Sequence, residues 1–161
     1  MKQIISVLVE NQAGVLNKIT GLFARRAFNI DSLAVSVTED ESVSRITMIV
    51  DSGGHATDQV EKQLHKLISV IKVKRLEEGD YVGKELTIIK LSASTKNRSD
   101  IKNLCDIMGA KISDISASTI TVELADTPDR IALFREMLLP FGIIEVAGTG
   151  LIAIQKGSAH I

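Results

Sequence analysis

The sequence predicts an α+β fold in which one β-α-β-β-α-β unit is written twice in tandem. Two observations carry that reading. Apolar spacing switches between period 2 and period 3.6 in a fixed order, the mark of strands alternating with amphipathic helices. The same order then returns after a glycine-containing break near the middle of the 161 residues. Composition agrees: hydrophobic residues make up 45% and charged residues 24% of the chain, enough to bury a core. Aromatics are only 3% and Trp is absent, so that core is built from Ile, Val and Leu.

Ile4 to Val9 is a short β-branched run suited to a central strand. Asn11-Gln12-Ala13-Gly14 breaks the pattern, and Val15, Leu16, Ile19, Leu22, Phe23 and Ala27 then fall at helical spacing. From Ile30 the chain alternates, with Leu33, Val35 and Val37 on one face, and the acidic turn 38–42 leads into a partner strand from Arg45 to Val50. Gly53-Gly54 interrupts again. Thr57 is placed to cap a second helix, whose stripe is Val60, Leu64, Leu67 and Ile68, and Val70 to Leu76 closes the unit.

The second half repeats the order. Leu86 to Ala93 is a strand, and Ser99 caps a helix bearing Ile101, Leu104, Cys105 and Met108, with Gly109 past its end. Lys111 to Ser116 and Thr119 to Leu124 form a hairpin. Thr127-Pro128 starts the last helix, which Pro140 and Gly142 end. Ile143 to Val146 and Leu151 to Ile154 can supply the closing strand. Each half has the split βαβ order of ferredoxin-like domains. The expected boundaries are a first domain over 1–77, a linker over 78–84 and a second domain over 85–161.

Charge and motifs exclude several functions. Net charge is -1 with Lys and Arg dispersed, whereas a nucleic-acid binder needs a basic stripe and, for single strands, stacking aromatics. No signal peptide or membrane-length apolar run is expected. With Cys105 alone there is no internal disulfide, and a reducing, cytoplasmic setting fits. No P-loop, G-x-G-x-x-G, H-E-x-x-H or C-x-x-C is present. His55, His65 and His160 are scattered, Cys105 lies on an apolar stripe, and Gly148-Thr149-Gly150 precedes a strand rather than a helix. Arg45 and Asn29 match an acyl-phosphate hydrolase by residue type, without supporting spacing. No catalytic residue and no metal ligand is assigned.

Polar groups look arranged only at the first strand-to-helix turn. Backbone N–H groups at a helix start are unpaired and can receive a carboxylate. Gly14 lets a ligand approach the backbone, and Asn11 can bond either end of an amino acid. The alternative is that Asn and Gly only shape the turn, and that Asn29 is a left-handed residue closing the helix. The strand from Asp31 to Val37 is an outer edge free of Pro and Lys, open to pairing with a second copy. The alternative there is protection by Asp31 and the acidic turn.

The stretch E-N-x-x-G-x-L-x-K-I-x-x-L-F-x-R-R-x-F-N-I-x-S-L, from Glu10 to Leu33, resembles the small regulatory subunit of acetolactate (acetohydroxyacid) synthase. The likeness continues through Val43 to Thr47, Lys62 to Leu67, Glu85 to Leu91 and Pro140 to Glu145. It implies an N-terminal ACT domain followed by a domain of related fold, with no catalysis of its own. Such a chain activates a separate large subunit, which would carry thiamine diphosphate, Mg and FAD, and makes it sensitive to a branched-chain amino acid, most often valine. The resemblance also implies an ACT-domain homodimer whose effector lies between chains, touching Asn11, Gly14, Val15 and Leu16 of one and Asn29 and Ile30 of the other. Two residues depart from the family pattern: Ala27 where Gly is usual, and Gly148 where a basic residue is usual.

Overall fold

The computed structural model describes residues 2–51 and 58–161, and the chain divides into two compact units, Met1–Gly83 with Gly150–Ile161, and Lys84–Thr149. In the first unit the elements are β1 (Lys2–Glu10), α1 (Val15–Arg25), β2 (Asn29–Val37), β3 (Val43–Asp51), α2 (Asp58–Leu64) and β4 (Val70–Leu76). The strands form an antiparallel sheet in the order β2-β3-β1-β4. Ile5 and Val7 sit opposite Met48 and Ile46, and this face buries against Ile19, Leu22 and Phe23 of α1 and Val60 and Leu64 of α2. The alternation read from the sequence thus selects which sheet face the helices cover. α1 packs beside β2, and α2 beside β4.

The end of α1 differs from expectation. The helix stops at Arg25, the N–H groups of Arg26 and Phe28 both bond Phe23 O at 3.1 Å, and Ala27 takes φ 56°. The left-handed residue is therefore Ala27 and not Asn29, which instead opens β2. A left-handed L-residue costs about 1–2 kcal/mol. Ala27 is exposed, so Gly at this position gives up no packing. Ala27→Gly is expected to raise unfolding free energy in urea by about 0.5–1 kcal/mol, after the greater freedom of Gly in the unfolded chain is subtracted. A loss of stability would show that the turn is not strained.

The stripe of α2 is also shorter than its periodicity suggests. Val60 and Leu64 are buried, but the chain turns after Leu64 and leaves Ile68 98% exposed. The turn bonds Leu67 N–H to Leu64 O and Val70 N–H to Leu67 O, each 3.0 Å, and so directs the chain into β4. The Gly53-Gly54 break, His55 and the Thr57 cap lie outside the described residues.

The largest departure concerns residues 150–161. β5 (Tyr81–Ser92) begins inside the expected linker, after a turn at Gly79, φ 83°. β9 (Ile152–Gln155) pairs with β5, as expected of a closing strand, but residues 150–161 group by their contacts with the first unit. Leu151 and Ala153 are buried in a cluster with Leu76, beside Ile4, Ile49 and Tyr81, on the sheet face away from the helices. Gly150 makes this return possible: its φ is 77°, and a Cβ there would lie 2.7 Å from Ser32 Oγ and 3.3 Å from Leu33 O. Next to it, Leu151 N–H donates to Ser32 Oγ at 3.0 Å. Gly150→Ala combines left-handed strain with overpacking and is expected to destabilise the chain by about 2–3 kcal/mol in chemical denaturation. An unchanged midpoint would mean that the tail does not seat on β2.

In the second unit, β5 from Lys84 onward joins α3 (Arg98–Met108), β6 (Lys111–Ile115), β7 (Thr119–Asp126), α4 (Pro128–Leu138) and β8 (Ile143–Gly148). The sheet order is β6-β7-β5-β8, and Ile89, Leu91, Ile101, Val122, Phe134 and Leu138 form its core. Pro128 opens α4, as the sequence predicts, and Gly109, φ 75°, closes α3. The residue at the α3 cap position is Asn97, whose Oδ1 accepts Ser94 N–H at 2.8 Å, rather than Ser99. Cys105 is 1% exposed, and burial pushes its thiol pKa up, so it packs as a core residue.

Candidate functional site

The turn between β1 and α1 is held from below by the β2–β3 turn. Asn11 N–H donates to Ser42 O at 2.7 Å, and Asn11 Nδ2 donates to Glu41 O at 2.8 Å. The side-chain amide is therefore oriented by a backbone carbonyl, which leaves Oδ1 as the acceptor it can present to a ligand. Gly14 occupies the residue before α1 with φ 85°, and a Cβ there would meet nothing within 4 Å. The turn is open on that side, and the left-handed backbone alone accounts for Gly.

Of the first helical N–H groups, Val15 makes one long bond to Gln12 O, 3.4 Å. Those of Gly14 and Leu16 have no acceptor among the described residues. Val15 is 4% exposed and contributes its side chain to the core, so only its N–H faces the turn as a binding group. Leu16 is 40% exposed and offers an apolar surface next to these donors. Free N–H groups at a helix start can receive a carboxylate, and the Asn11 Oδ1 beside them can accept from an ammonium.

Asn29 and Ile30 open β2. Asn29 Nδ2 donates to Asp31 Oδ1, and Asp31 Oδ2 pairs with Lys2 Nζ at 2.8 Å. The hydrogen bond and charge of Asp31 raise the Lys2 pKa. Asp31 sits where the β2–β3 register shifts, between Ile30 and Ser32, so a bulge turns its carboxylate toward Asn29. Ile30 is half-buried against the core. The sequence offered no sign of Asp31, Glu41 or Ser42 as supports. Two of them act through backbone carbonyls, and the third depends on a bulge.

Within one chain the two groups do not meet. Lys2, Asp51 and Asn29 lie in register at one end of the sheet, whereas Glu10 and Val43 pair at the other end, from which the Asn11–Leu16 turn departs. β1 spans about 27 Å between those ends. Arg45 and Asn29 are also apart, since Arg45 pairs with Ser36 near the far end of β2. The acyl-phosphate pairing is thereby removed. Gly148-Thr149-Gly150 has a structural role: Thr149 Oγ1 accepts Leu86 N–H at 3.1 Å, and Gly150 makes the turn described above. Among the described residues no cluster of three metal-ligating side chains occurs, and no helix is long and apolar enough to cross a membrane.

The first unit has the ACT-domain fold, with its β1–α1 turn and β2 edge in the positions described. A family model described as the AHAS small subunit-like ACT domain matches residues 5–72, and one described as the small subunit of acetolactate synthase matches 84–157. The acetolactate synthase small subunit of Haemophilus influenzae is 38% identical over 162 residues, covering 100% of this chain and 99% of that protein. The probable acetolactate synthase small subunit of Methanothermobacter thermautotrophicus is 42% identical over 156 residues, 96% of this chain and 93% of its own length. Among solved structures, the acetolactate synthase small subunit from Thermotoga maritima superposes with TM-score 0.90 at 30% identity, covering 99% of both chains. The chain belongs to the acetolactate synthase small-subunit family.

Proposed function

We propose that this chain is the non-catalytic regulatory partner of a cytoplasmic acetolactate synthase large subunit, raising that subunit's activity and making it inhibitable by valine. Thiamine diphosphate, Mg and FAD belong to the large subunit in this reading. The observation that carries it is the placement of the two polar groups at opposite ends of one exposed edge strand. If β2 pairs antiparallel with β2 of a second copy, Asn29 of each chain moves to the Val37 end of the other. That is the end at which the Asn11–Leu16 turn lies. Val35 and Val37, 45% and 56% exposed, become covered in the same step.

The resulting pocket has a division of labour. N–H groups of Gly14, Val15 and Leu16 take the effector carboxylate, Oδ1 of Asn11 and of the partner copy's Asn29 takes the ammonium, and Leu16 with Ile30 surrounds a small branched side chain. One methylene in such a pocket is worth about 1–3 kcal/mol, so valine is preferred over leucine without excluding it. Because both copies build each pocket, occupancy favours one way of holding the dimer. Coupling of about 1–3 kcal/mol is sufficient for feedback.

The direct test is acetolactate formation by the purified large subunit, with and without this chain, across a valine titration. A rate increase on addition, reversed by valine, is the expected result. An unchanged rate together with no valine response would leave a free-standing amino-acid sensor as the reading.

A further inference from the structure

The sheet face of the first unit that is not covered by helices holds a pocket of about 310 Å³, whose floor is β1, β3 and β4 and whose rim is formed by residues 154–161. At its base, Ser6 on β1 is 1% exposed and lies directly opposite Lys74 on β4. On the other side Arg45 on β3 turns its Nη1 to within 3.4 Å of Ser6 Oγ. A guanidinium therefore reaches one buried hydroxyl, and Lys74 lines the same pocket from the neighbouring strand.

Neither cation has a carboxylate within ion-pair distance among the described residues. Both side chains are partly buried, which raises the cost of leaving two like charges together. The rim adds Gln155. Its Nε2 is committed to Asp80 Oδ2 at 2.6 Å, while its Oε1 is buried without a partner. Leu76 and Ile154 supply an apolar wall, and Ser158 and His160 make the rest of the rim polar.

We infer that this pocket binds a small phosphate monoester. At neutral pH such a group carries about −1.5 to −2 charges, which matches two unpaired cations, and its three oxygens suit a planar guanidinium, an ammonium and a hydroxyl. A single carboxylate would leave one charge uncompensated. The unpartnered Gln155 oxygen accepts a hydroxyl or amine of the organic part, and the volume sits at the small end of ligand pockets. The pocket lies on the sheet face opposite α1, so it is separate from the proposed valine site and does not depend on it.

The test uses the full chain, with glycerol 3-phosphate and inorganic phosphate as probes at constant ionic strength set by NaCl. Thermal unfolding and titration calorimetry give the readout. The ester is expected to raise the unfolding temperature and to bind the parent chain, with glycerol alone inactive. Lys74→Gln and Arg45→Gln each weaken binding at least tenfold. Lys72→Gln, on the same strand with the same loss of charge but outside the pocket, retains it. Both pocket variants remove like-charge repulsion, so without ligand they unfold no earlier than the parent. Equal binding of inorganic phosphate assigns the site to free phosphate, with the wall unused. Binding of neither probe, a response matched by NaCl alone, or an unchanged response in Lys74→Gln overturns the proposal. Gly14→Asp should retain ester binding, which separates failure here from failure of the valine reading.

Discussion

Replacing Gly14 with Asp is expected to abolish valine inhibition while leaving activation of the large subunit intact. The backbone of Gly14 has φ 85°, a region in which Asp is tolerated better than most L-residues, and a Cβ there meets nothing within 4 Å. Packing therefore does not oppose the substitution, and the stability cost is about 1 kcal/mol from the backbone. The new carboxylate would stand before the N–H groups that receive the effector carboxylate. It competes for those donors and repels the ligand by about 1–4 kcal/mol at a separation near 4 Å, depending on the effective dielectric. Together these raise the valine concentration for half-inhibition by about a hundredfold or more, equivalent to about 2.7 kcal/mol. The valine dose response of the assembled enzyme is the measurement. Gly14→Ala serves as the companion, because it adds the backbone strain without the charge and should shift the curve far less. Undiminished inhibition in Gly14→Asp would remove this turn from the site.

The second large effect is expected from Val35→Asp on the β2 edge. Val35 is 45% exposed in the single chain, so the first unit should fold with little loss. In a paired edge the same position is covered, and an unpaired carboxylate there costs several kcal/mol, counted once in each copy. Light scattering should show protomers where the parent chain shows dimers at the same concentration. Valine binding by calorimetry should disappear with the dimer, because Asn11 and Asn29 of one chain lie at opposite ends of the sheet, about 27 Å apart along β1. Neither half keeps enough contacts alone. A Val35→Asp chain that remains dimeric and still binds valine would show that the pocket is assembled through another surface. If it stays monomeric yet binds valine, the two-chain pocket itself is wrong.

Helix periodicity was legible where one face is buried, as in α3 and in α1 at Val15, Ile19, Leu22 and Phe23, while Leu16 and Ala27 at the same spacing stay exposed. It overran in α2, where Leu67 and Ile68 continue the spacing but the chain must turn to reach β4. Because Asn favours the left-handed conformation, the sequence makes Asn29 an alternative for the residue closing α1. The bonds of Arg26 and Phe28 to Phe23 O place it at Ala27 regardless of propensity. Local preference sets such a choice only when tertiary contacts are indifferent to it.

The sequence by itself determined the tandem α+β order, the aliphatic core, the glycine at the first turn and, through the Glu10–Leu33 motif, the family. These properties depend on local spacing and composition. Only the tertiary structure decided three others. It set Asn11 and Asn29 at opposite ends of one sheet, because antiparallel register is a relation between strands far apart in the chain. It returned residues 150–161 to the first unit, where burying Leu151 and Ala153 against Leu76 covers a sheet face that would otherwise stay open. It brought Arg45 and Lys74 to Ser6, three residues with no common spacing, because side chains on neighbouring strands meet wherever the register aligns them.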